Sequence, residues 1–130
     1  MMGIGSAGGI AASALSAFGV DMMVHANNIA NMNTNGFRSQ RLDLMTGASD
    51  QGVAVASIYH NITPGPLVPG MLSMSESGRT QMVPGYLEGS NTDVAQEFIR
   101  MTATQRAYEA NAAVIRTHDD MSGTLLDLKI

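Results

Sequence analysis

The sequence contains no cysteine among its 130 residues. This absence excludes disulfides, thiol nucleophiles and thiolate metal sites, and it leaves the redox compartment open. Charged residues are also scarce, at 14% of the chain, where about 25% is typical of globular domains. We therefore expect much of the surface to lie against neighbouring molecules.

Basic residues are the scarcest charged class. The formal net charge is -4 and the pI about 5.1, whereas nucleic-acid-binding domains carry basic patches and a high pI; DNA and RNA are not expected partners. No Lys or Arg precedes Arg38, so the basic region of a cleaved signal peptide is missing. Residues such as Gly19, Asp21 and Asn27 interrupt the apolar run that a membrane span needs. The N-terminal segment is predicted to be a buried helix of a soluble protein.

Motifs for metal binding and catalysis are missing as well. His25, His60 and His118 are far apart in the sequence, with no two at helical ligand spacing. Asp119 and Asp120 are adjacent, so on a helix they point about 100° apart and cannot flank one substrate atom. No nucleophile elbow or phosphate-binding loop is present. We expect no catalytic site, metal site or cofactor; His25 is predicted to be a hydrogen-bonded packing residue and His118 to face solvent.

A long helix is predicted from about residue 10 to residue 31. Its apolar and small residues follow one another at alternating steps of four and three, the spacing of a coiled-coil seam: Ala11, Leu15, Phe18, Met22, His25 and Ile29. The helix should end in the Asn-rich run up to Gly36, because Asn and Gly tolerate left-handed backbone conformations. Asn35-Gly36 is a strong turn signal.

A second, longer helix is predicted after Asp93. Ser90 and Asp93 have the spacing of a capping box, and Asp93 would lie favourably near the positive helix end. A second seam follows with the same alternating steps: Val94, Phe98, Met101, Gln105, Tyr108, Ala112 and Ile115. Met121, Leu125 and Leu128 then resume the pattern with a shifted phase, which resembles a coiled-coil stutter.

Between the helices, Gly and Pro recur too often for another long helix, and residues 52–59 have β-branched character with partial alternation. The predicted fold is mainly α with a small β-rich insertion. Its segments are 1–36 (N-terminal helix and Asn-rich turn), 37–89 (short-stranded middle) and 90–130 (C-terminal helix). The helices could pair as a coiled coil within the chain or bury their seams against other chains. The low charge of the first helix favours the second arrangement.

Two stretches resemble the flagellar rod and hook protein family. Residues 27–37, NNIANMNTNGF, are similar to the family's N-terminal signature. Residues 90–93, 105–111 and 124–128, reading SNTD, QRAYEAN and TLLDL, look like its C-terminal helix. The short length is similar to that of proximal rod proteins, whereas the sequence of residues 34–37, TNGF, is closer to that of distal rod and hook members. A proximal-type rod protein is preferred, with a distal-rod or hook-type paralogue as the alternative.

The resemblance implies a structural subunit of the flagellar basal-body rod that polymerises through its terminal helices into a shaft transmitting torque. Its implied partners are further copies, other rod and hook-family subunits and the flagellar type III export apparatus. It implies a periplasmic rod location, reached without cleavage of a signal peptide. A rod-associated peptidoglycan hydrolase would need paired carboxylates, for which Glu76 and Glu88 are the central Glu candidates. A membrane-active helix is disfavoured by the scarcity of basic residues.

Assembly contacts are expected along both seams and at the Asn-rich turn. Arg106 and Tyr108 are chosen as interface anchors, because these residue types often carry binding energy in buried contacts; ordinary packing is the alternative. The turn asparagines either bond neighbouring groups or only cap the helix. The expected assembly residues are Leu15, Phe18, Met22, Asn27, Asn28, Ile29, Asn31, Asn33, Gly36, Phe98, Met101, Arg106, Tyr108, Asn111, Ile115, Leu125 and Leu128.

Overall fold

A computed structural model describes residues 4–128, so the outermost residues of the predicted terminal segments, 1–3 and 129–130, lie outside the described part. Helix α1 spans Ile4–Ala30 and helix α2 spans Val94–Leu128. Strands occupy the region between them. The prediction of two terminal helices around a small β-rich middle is confirmed.

Helix α1 begins earlier than the sequence pattern predicted. The helix includes Gly8, which was expected to precede it. A Cβ at residue 8 would lie 2.8 Å from Cδ2 of His118 on α2. Glycine costs a helix about 1 kcal/mol relative to alanine, and here it permits the two helices to approach closely.

The middle region forms two antiparallel hairpins. The first pairs β1, Gln40–Thr46, with β2, Val53–His60, and has a bulge after Asp43. A short 3-10 turn, Ala48–Asp50, lies between these strands. The second pairs β3, Leu67–Glu76, with β4, Arg79–Glu88. The strand predicted at residues 52–59 is confirmed as β2.

Turn chemistry accounts for the tightest connections. Ser77 and Gly78, between β3 and β4, have φ values of 52° and 75°, the two positive values that a type I′ hairpin turn requires. Gly36 has a φ of 76° at the end of the Asn-rich run, and glycine adopts this left-handed conformation without strain. The predicted Asn35-Gly36 turn is confirmed.

The two helices pack antiparallel. His25 of α1 contacts Glu97 near the start of α2, Asp21 contacts Thr104, and Gly8 lies beneath His118. Hairpin β1–β2 packs against α1, whereas β3 and β4 make their extensive contacts with each other. The apolar core described in residues 7–128 is small, and it consists of Ala11, Ala14, Ala17, Val24 and Leu42.

The buried face of α1 differs by about one residue from the predicted seam. Ala11 and His25 are buried as seam residues, but Ala14 is buried in place of Leu15, and Asn28 in place of Ile29. The predicted seam follows the largest apolar side chains, while the helix pair buries the smallest ones. Small side chains allow close approach of two backbones, which leaves the larger residues half-buried at the margin of the contact.

Candidate assembly surface

A buried layer of charged and polar side chains crosses the helix pair. His25 is 5% exposed and Glu97 is 3% exposed. The Nδ1 atom of His25 lies 2.6 Å from Oε2 of Glu97, and Nε2 lies 3.3 Å from Oδ1 of Asp21. Thr104 donates from Oγ1 to Oδ2 of Asp21 at 2.7 Å. The prediction of His25 as a hydrogen-bonded packing residue is confirmed.

Arg100 lies at the edge of this layer. Its Nη1 is 3.9 Å from Oε1 of Glu97, and its side chain is much more exposed than that of Glu97. The layer joins Asp21 and His25 of α1 to Glu97 and Thr104 of α2, two pairs that lie more than 70 residues apart in the sequence. No motif indicated that they would meet, because their contacts depend on the register of the two helices.

Asn28 joins α1 to the first hairpin. Its side chain is fully buried, at 0% exposure. Nδ2 donates to the backbone oxygen of Gln40 at 2.7 Å, and Oδ1 accepts from the backbone nitrogen of Gln40 at 2.8 Å. A single amide thus satisfies both polar groups of one peptide position on β1, which favours the bonding interpretation of this asparagine over simple capping.

Asn31 has the capping role instead. Its Nδ2 donates to the backbone oxygen of Asn27 at 2.9 Å, and its Oδ1 accepts from the Thr34 hydroxyl at 3.0 Å. Asn33 is exposed. Gly36 donates its backbone N–H to the oxygen of Glu88 at 2.7 Å. The Asn-rich run therefore combines a tertiary contact at Asn28 with local stabilisation of the helix end.

Asn91 is an anchoring residue that the sequence analysis did not single out. Its Oδ1 accepts from the backbone nitrogen of Ser39 at 2.6 Å. Its Nδ2 donates to the backbone oxygens of Asn61 and Thr63 at 2.9 and 2.8 Å. Three chain segments meet at this amide. The residue lies inside the predicted cap of α2, but its long-range partners leave no trace in local sequence.

The predicted assembly residues of α2 fall into two groups. Met101, Asn111 and Ile115 are half-buried, and Asn111 donates to the backbone oxygen of Ala107 at 2.8 Å. The remaining predicted residues are exposed, with Phe98 at 54%: Phe98, Arg106, Tyr108, Leu125 and Leu128. On α1, the half-buried predicted residues are Leu15, Phe18, Met22 and Ile29.

An exposed apolar stripe runs along the C-terminal half of α2. Val114, Met121, Leu125 and Leu128 are separated by seven, four and three residues, so they lie on one side of the helix. Leu125 is 51% exposed and Leu128 is 77% exposed. The shifted phase seen in the sequence thus has a structural counterpart, because this stripe lies beside the face that contacts α1. We call these four residues the α2 stripe.

His118 does not face solvent as predicted. It is half-buried, and its ring lies over Gly8. Its Nδ1 is buried without a hydrogen-bond partner in the described part of the chain. Gly8 on α1 leaves room for the ring. Close packing of the two helices therefore explains why His118 is half-buried.

The described residues contain no candidate metal cluster, but α1 is apolar enough to be compared with a membrane span. Among residues 4–128, no group of three or more His, Asp or Glu side chains is arranged to hold a metal ion. By length and composition, residues 7–30 of α1 could cross a membrane. This segment contains His25 and Asn28, whose side chains are buried and hydrogen-bonded to Glu97 and Gln40.

Comparisons with known proteins match both ends of the chain. The family model of the flagella basal body rod protein matches residues 10–38. The model of the flagellar basal body rod FlgEFG protein C-terminal region matches residues 83–128. The matched segments contain α1 with the Asn-rich turn, and α2.

Similarity also extends across the whole chain. The flagellar basal-body rod protein FlgC of Borreliella burgdorferi is 29% identical, over 92% of this chain and 93% of that protein. The flagellar hook protein FlgE of Caulobacter vibrioides is 42% identical over 42% of this chain, which corresponds to 9% of the hook protein. The rod protein FlgG of Buchnera aphidicola is 44% identical over 40% of this chain and 20% of its own length. The chain is thus similar to flagellar rod and hook proteins in both terminal regions, and to a rod protein over most of its length.

Proposed function

We propose that the chain is a structural subunit of the flagellar basal-body rod, polymerising through its terminal helices. The observation that carries this proposal is the α2 stripe, a heptad-spaced apolar surface that α1 leaves uncovered. In this proposal residues 1–36 and 90–130 form the rod core, and residues 37–89 face outward. The shaft built from such subunits would transmit motor torque.

The small core of the chain supports burial between subunits. Among residues 7–128, three of the five buried apolar side chains are alanines, whereas ordering a residue costs about 1–2 kcal/mol of backbone conformational entropy. Helices with little buried apolar area depend on further burial for stability. Contact of the α2 stripe with a neighbouring helix would supply that burial, so ordering and assembly would be coupled.

A coiled-coil contact between subunits fits the spacing of the stripe. Steps of seven, four and three are those of a heptad seam, which packs against a partner helix. The face of α2 that contacts α1 is a different one, so each subunit would join unlike surfaces. Contacts between unlike surfaces propagate into helical filaments when they do not close.

A proximal-type rod subunit is the preferred member of the family. The similarity to FlgC covers nearly the full length of both chains, whereas the matches to FlgE and FlgG cover a small part of those longer proteins. A distal-rod or hook-type paralogue is the alternative. The proposed partners are copies of this chain and other rod and hook subunits.

The proposed route and location follow from the same assignment. We propose export through the flagellar type III apparatus without cleavage of a signal peptide, and incorporation into the periplasmic rod. Helix α1 would act as an assembly helix and not as a membrane span, because its buried face carries His25 and Asn28.

A catalytic role is not part of the proposal. Glu88, one of the two central Glu residues, pairs with Arg38 at 2.6 Å and accepts a backbone N–H from Gly65. Glu76 ends β3 beside the exposed hairpin turn. Glu88 therefore has structural partners, and Glu76 is exposed to solvent, where nothing shields it as an acid–base pair requires.

The first test is mass spectrometry of purified hook-basal bodies from cells with and without the gene. We expect the chain in wild-type particles and loss of the rod on deletion. Absence of the chain from particles, together with normal rods after deletion, would overturn the proposal.

A second test is directed at the α2 stripe. Leu125→Gln combined with Leu128→Gln should abolish complementation of swimming in the deletion strain, because a polar stripe cannot pack against a neighbouring subunit. Arg116→Gln, an exposed change on another side of α2, should complement normally. Circular dichroism should show equal helix content in both purified proteins. Normal swimming with the double substitution would contradict the assembly role of the stripe.

A further inference from the structure

Hairpin β3–β4 has two free edges. Its strands form a separate two-stranded sheet, which pairs with no other strand among the described residues. Each strand is 10 residues long, and no charged residue occurs within residues 68–75 or 80–87. Leu67, Met71, Met82 and Tyr86 expose more than half of their surface. Long, apolar and uncharged edges are the kind that pair with strands of other chains.

The hydrogen bonds at the base of the hairpin establish which backbone groups point outward. Gly89 donates its N–H to the oxygen of Pro66 at 2.7 Å, so these two residues form a hydrogen-bonded pair just below the strands. Hydrogen-bonded and non-hydrogen-bonded pairs alternate in an antiparallel ladder. The next pair, Leu67 with Glu88, is therefore non-hydrogen-bonded. In agreement, the oxygen of Glu88 accepts from outside the ladder, from the N–H of Gly36 at 2.7 Å.

The same alternation places both prolines of the hairpin in non-hydrogen-bonded pairs. Pro69 lies opposite Tyr86, and Pro84 lies opposite Met71. Because a proline nitrogen carries no hydrogen, the ladder inside the hairpin loses no bond, but each outer edge lacks one donor within its length. The outward donors that remain are those of residues 67, 71, 73 and 75 on β3 and of residues 80, 82, 86 and 88 on β4. Neither edge offers an uninterrupted row of donors.

The first hairpin is protected in other ways. It contains no proline, but β1 carries Arg41 and Asp43 and a bulge after Asp43. Both of its strands also pack against α1. Charges, bulges and cover by another element each protect a strand edge. Hairpin β3–β4 has a regular register and uncharged strand interiors, so its two prolines take over this protective role.

We infer that Pro69 and Pro84 close the edges of hairpin β3–β4 to strand pairing, and so prevent it from pairing with the same hairpin of a second copy. A second copy is the matching partner, because its edges have the same length, the same apolar side chains and the same lack of charge. The faces of the hairpin stay open to other contacts. The inference concerns this hairpin alone, so it does not rest on the proposed rod function.

The test restores both missing donors in the full-length chain. Pro69→Thr with Pro84→Thr adds one N–H to each edge, and threonine is well suited to a strand. We expect the rate of aggregation, followed by thioflavin T fluorescence at a fixed protein concentration, to rise about tenfold or more. Hydrogen exchange in the aggregated chain should slow at the outward amides of Met71 and Met82. An unchanged rate of aggregation in a folded variant would overturn the inference.

Two control variants separate edge pairing from other causes of aggregation. Ser73→Thr with Ser75→Thr adds two threonines at outward positions of β3 without adding a donor, and should leave the rate unchanged. Ser73→Lys with Thr80→Lys, placed in the double threonine chain, charges both edges while keeping the apolar side chains. This change should return the rate close to that of the unaltered chain. Aggregation that the lysines do not reduce would overturn the inference, since it would not proceed through the edges.

A milder variant covers the case in which the double threonine chain loses its hairpin. The inward amides of Leu72 and Leu87 report the hairpin ladder, because both residues lie in hydrogen-bonded pairs. If these amides lose protection before aggregation, Pro69→Thr and Pro84→Thr are tested singly, and each should raise the rate several-fold by opening one edge. An intact ladder without faster aggregation would overturn the inference. Loss of the ladder in both single variants would also overturn it, because the prolines would then stabilise the hairpin itself.

Discussion

The two β-hairpins are similar in length but differ in what holds them. Hairpin β1–β2 packs along α1: Leu42 is buried, Asn28 bonds both backbone groups of Gln40, and Ser13 accepts the backbone N–H of Val53 at 3.1 Å. Strands β3 and β4 have their extensive contacts with each other. Hairpin β1–β2 is therefore packed onto the helix pair α1–α2, and hairpin β3–β4 extends from it.

The second hairpin is attached at its base through Glu88. The carboxylate pairs with Arg38 and accepts from Gly65, and the backbone oxygen accepts from Gly36. On the two strands of this hairpin, the exposed large apolar residues include Leu67, Met71, Met82 and Tyr86. A two-stranded hairpin is only marginally stable alone. The contrast indicates that β1–β2 belongs to the stable unit, whereas β3–β4 contributes little to it.

The largest effect is expected from removing core volume under β1–β2. Leu42→Ala should lower the free energy of unfolding by about 3 kcal/mol, because a buried leucine is replaced and a cavity remains. Leu72→Ala removes the same atoms from half-buried β3 and should cost about 1 kcal/mol or less. Urea unfolding followed by circular dichroism measures both. Equal losses would show that the two hairpins are equally integrated.

A slightly smaller effect is expected at the amide that ties α1 to β1. Asn28→Ala should lower the free energy of unfolding by about 2 kcal/mol, because two backbone groups of Gln40 lose their partner inside the protein. Asn33→Ala, at an exposed position of the same run, should change it by less than about 0.5 kcal/mol. The same urea titration applies. If both variants were equally stable, water would have to replace the Asn28 contacts.

A substitution at the base of the second hairpin should lower the free energy of unfolding by less than the Leu42 and Asn28 substitutions do. Glu88→Gln removes the charge that faces Arg38 but keeps an oxygen for the Gly65 N–H. Because both side chains are about one-third exposed, the loss should be at most about 1 kcal/mol. Any acceleration of hydrogen exchange should be confined to the base of the hairpin, while the amides of α1 and α2 keep their protection. Uniform acceleration throughout the chain would instead make this ion pair part of the global fold.

Helices and turns could be predicted because their signals are local. The seam spacing indicated both helices, Asn35-Gly36 marked the turn, and the β-branched character of residues 52–59 indicated β2. The face that α1 buries within the chain differs by about one residue from the predicted seam, because large apolar side chains dominate the sequence pattern, while close packing of the two helices selected Ala14 over Leu15. Size, in addition to hydrophobicity, decides which face is buried.

The contacts of the candidate site depended on tertiary alignment and could not be predicted in the same way. Glu97 lies 72 residues from His25, and its position on α2 gives no indication of burial. Asn91 bonds segments that are distant in the chain. By contrast, the shifted phase of Met121, Leu125 and Leu128 was visible in the sequence, because a change of helix face alters local spacing.

The smallest effect on the stability of the helix pair α1–α2 is expected from shortening the second hairpin, β3–β4. Residues 71–84 lie beyond the cross-strand pair Gly70–Gly85, so replacing them with Asn-Gly should close the hairpin with a type I′ turn. The thermal midpoint of helix unfolding should change by no more than a few degrees, corresponding to less than about 1 kcal/mol. The helical circular dichroism signal per molecule should stay constant, because no residue of α1 or α2 is removed.

The matched control shortens the first hairpin instead. Replacing residues 45–54 with Asn-Gly joins the cross-strand pair Leu44–Val55 and removes the contact between Ser13 and Val53. This control should lower the midpoint of helix unfolding more than the first change does, because β1–β2 packs on α1. If trimming β3–β4 lowered the midpoint as strongly, the second hairpin would stabilise the helices through its base. Glu88 and Gly89 would then transmit the effect, since they connect β4 to the start of α2.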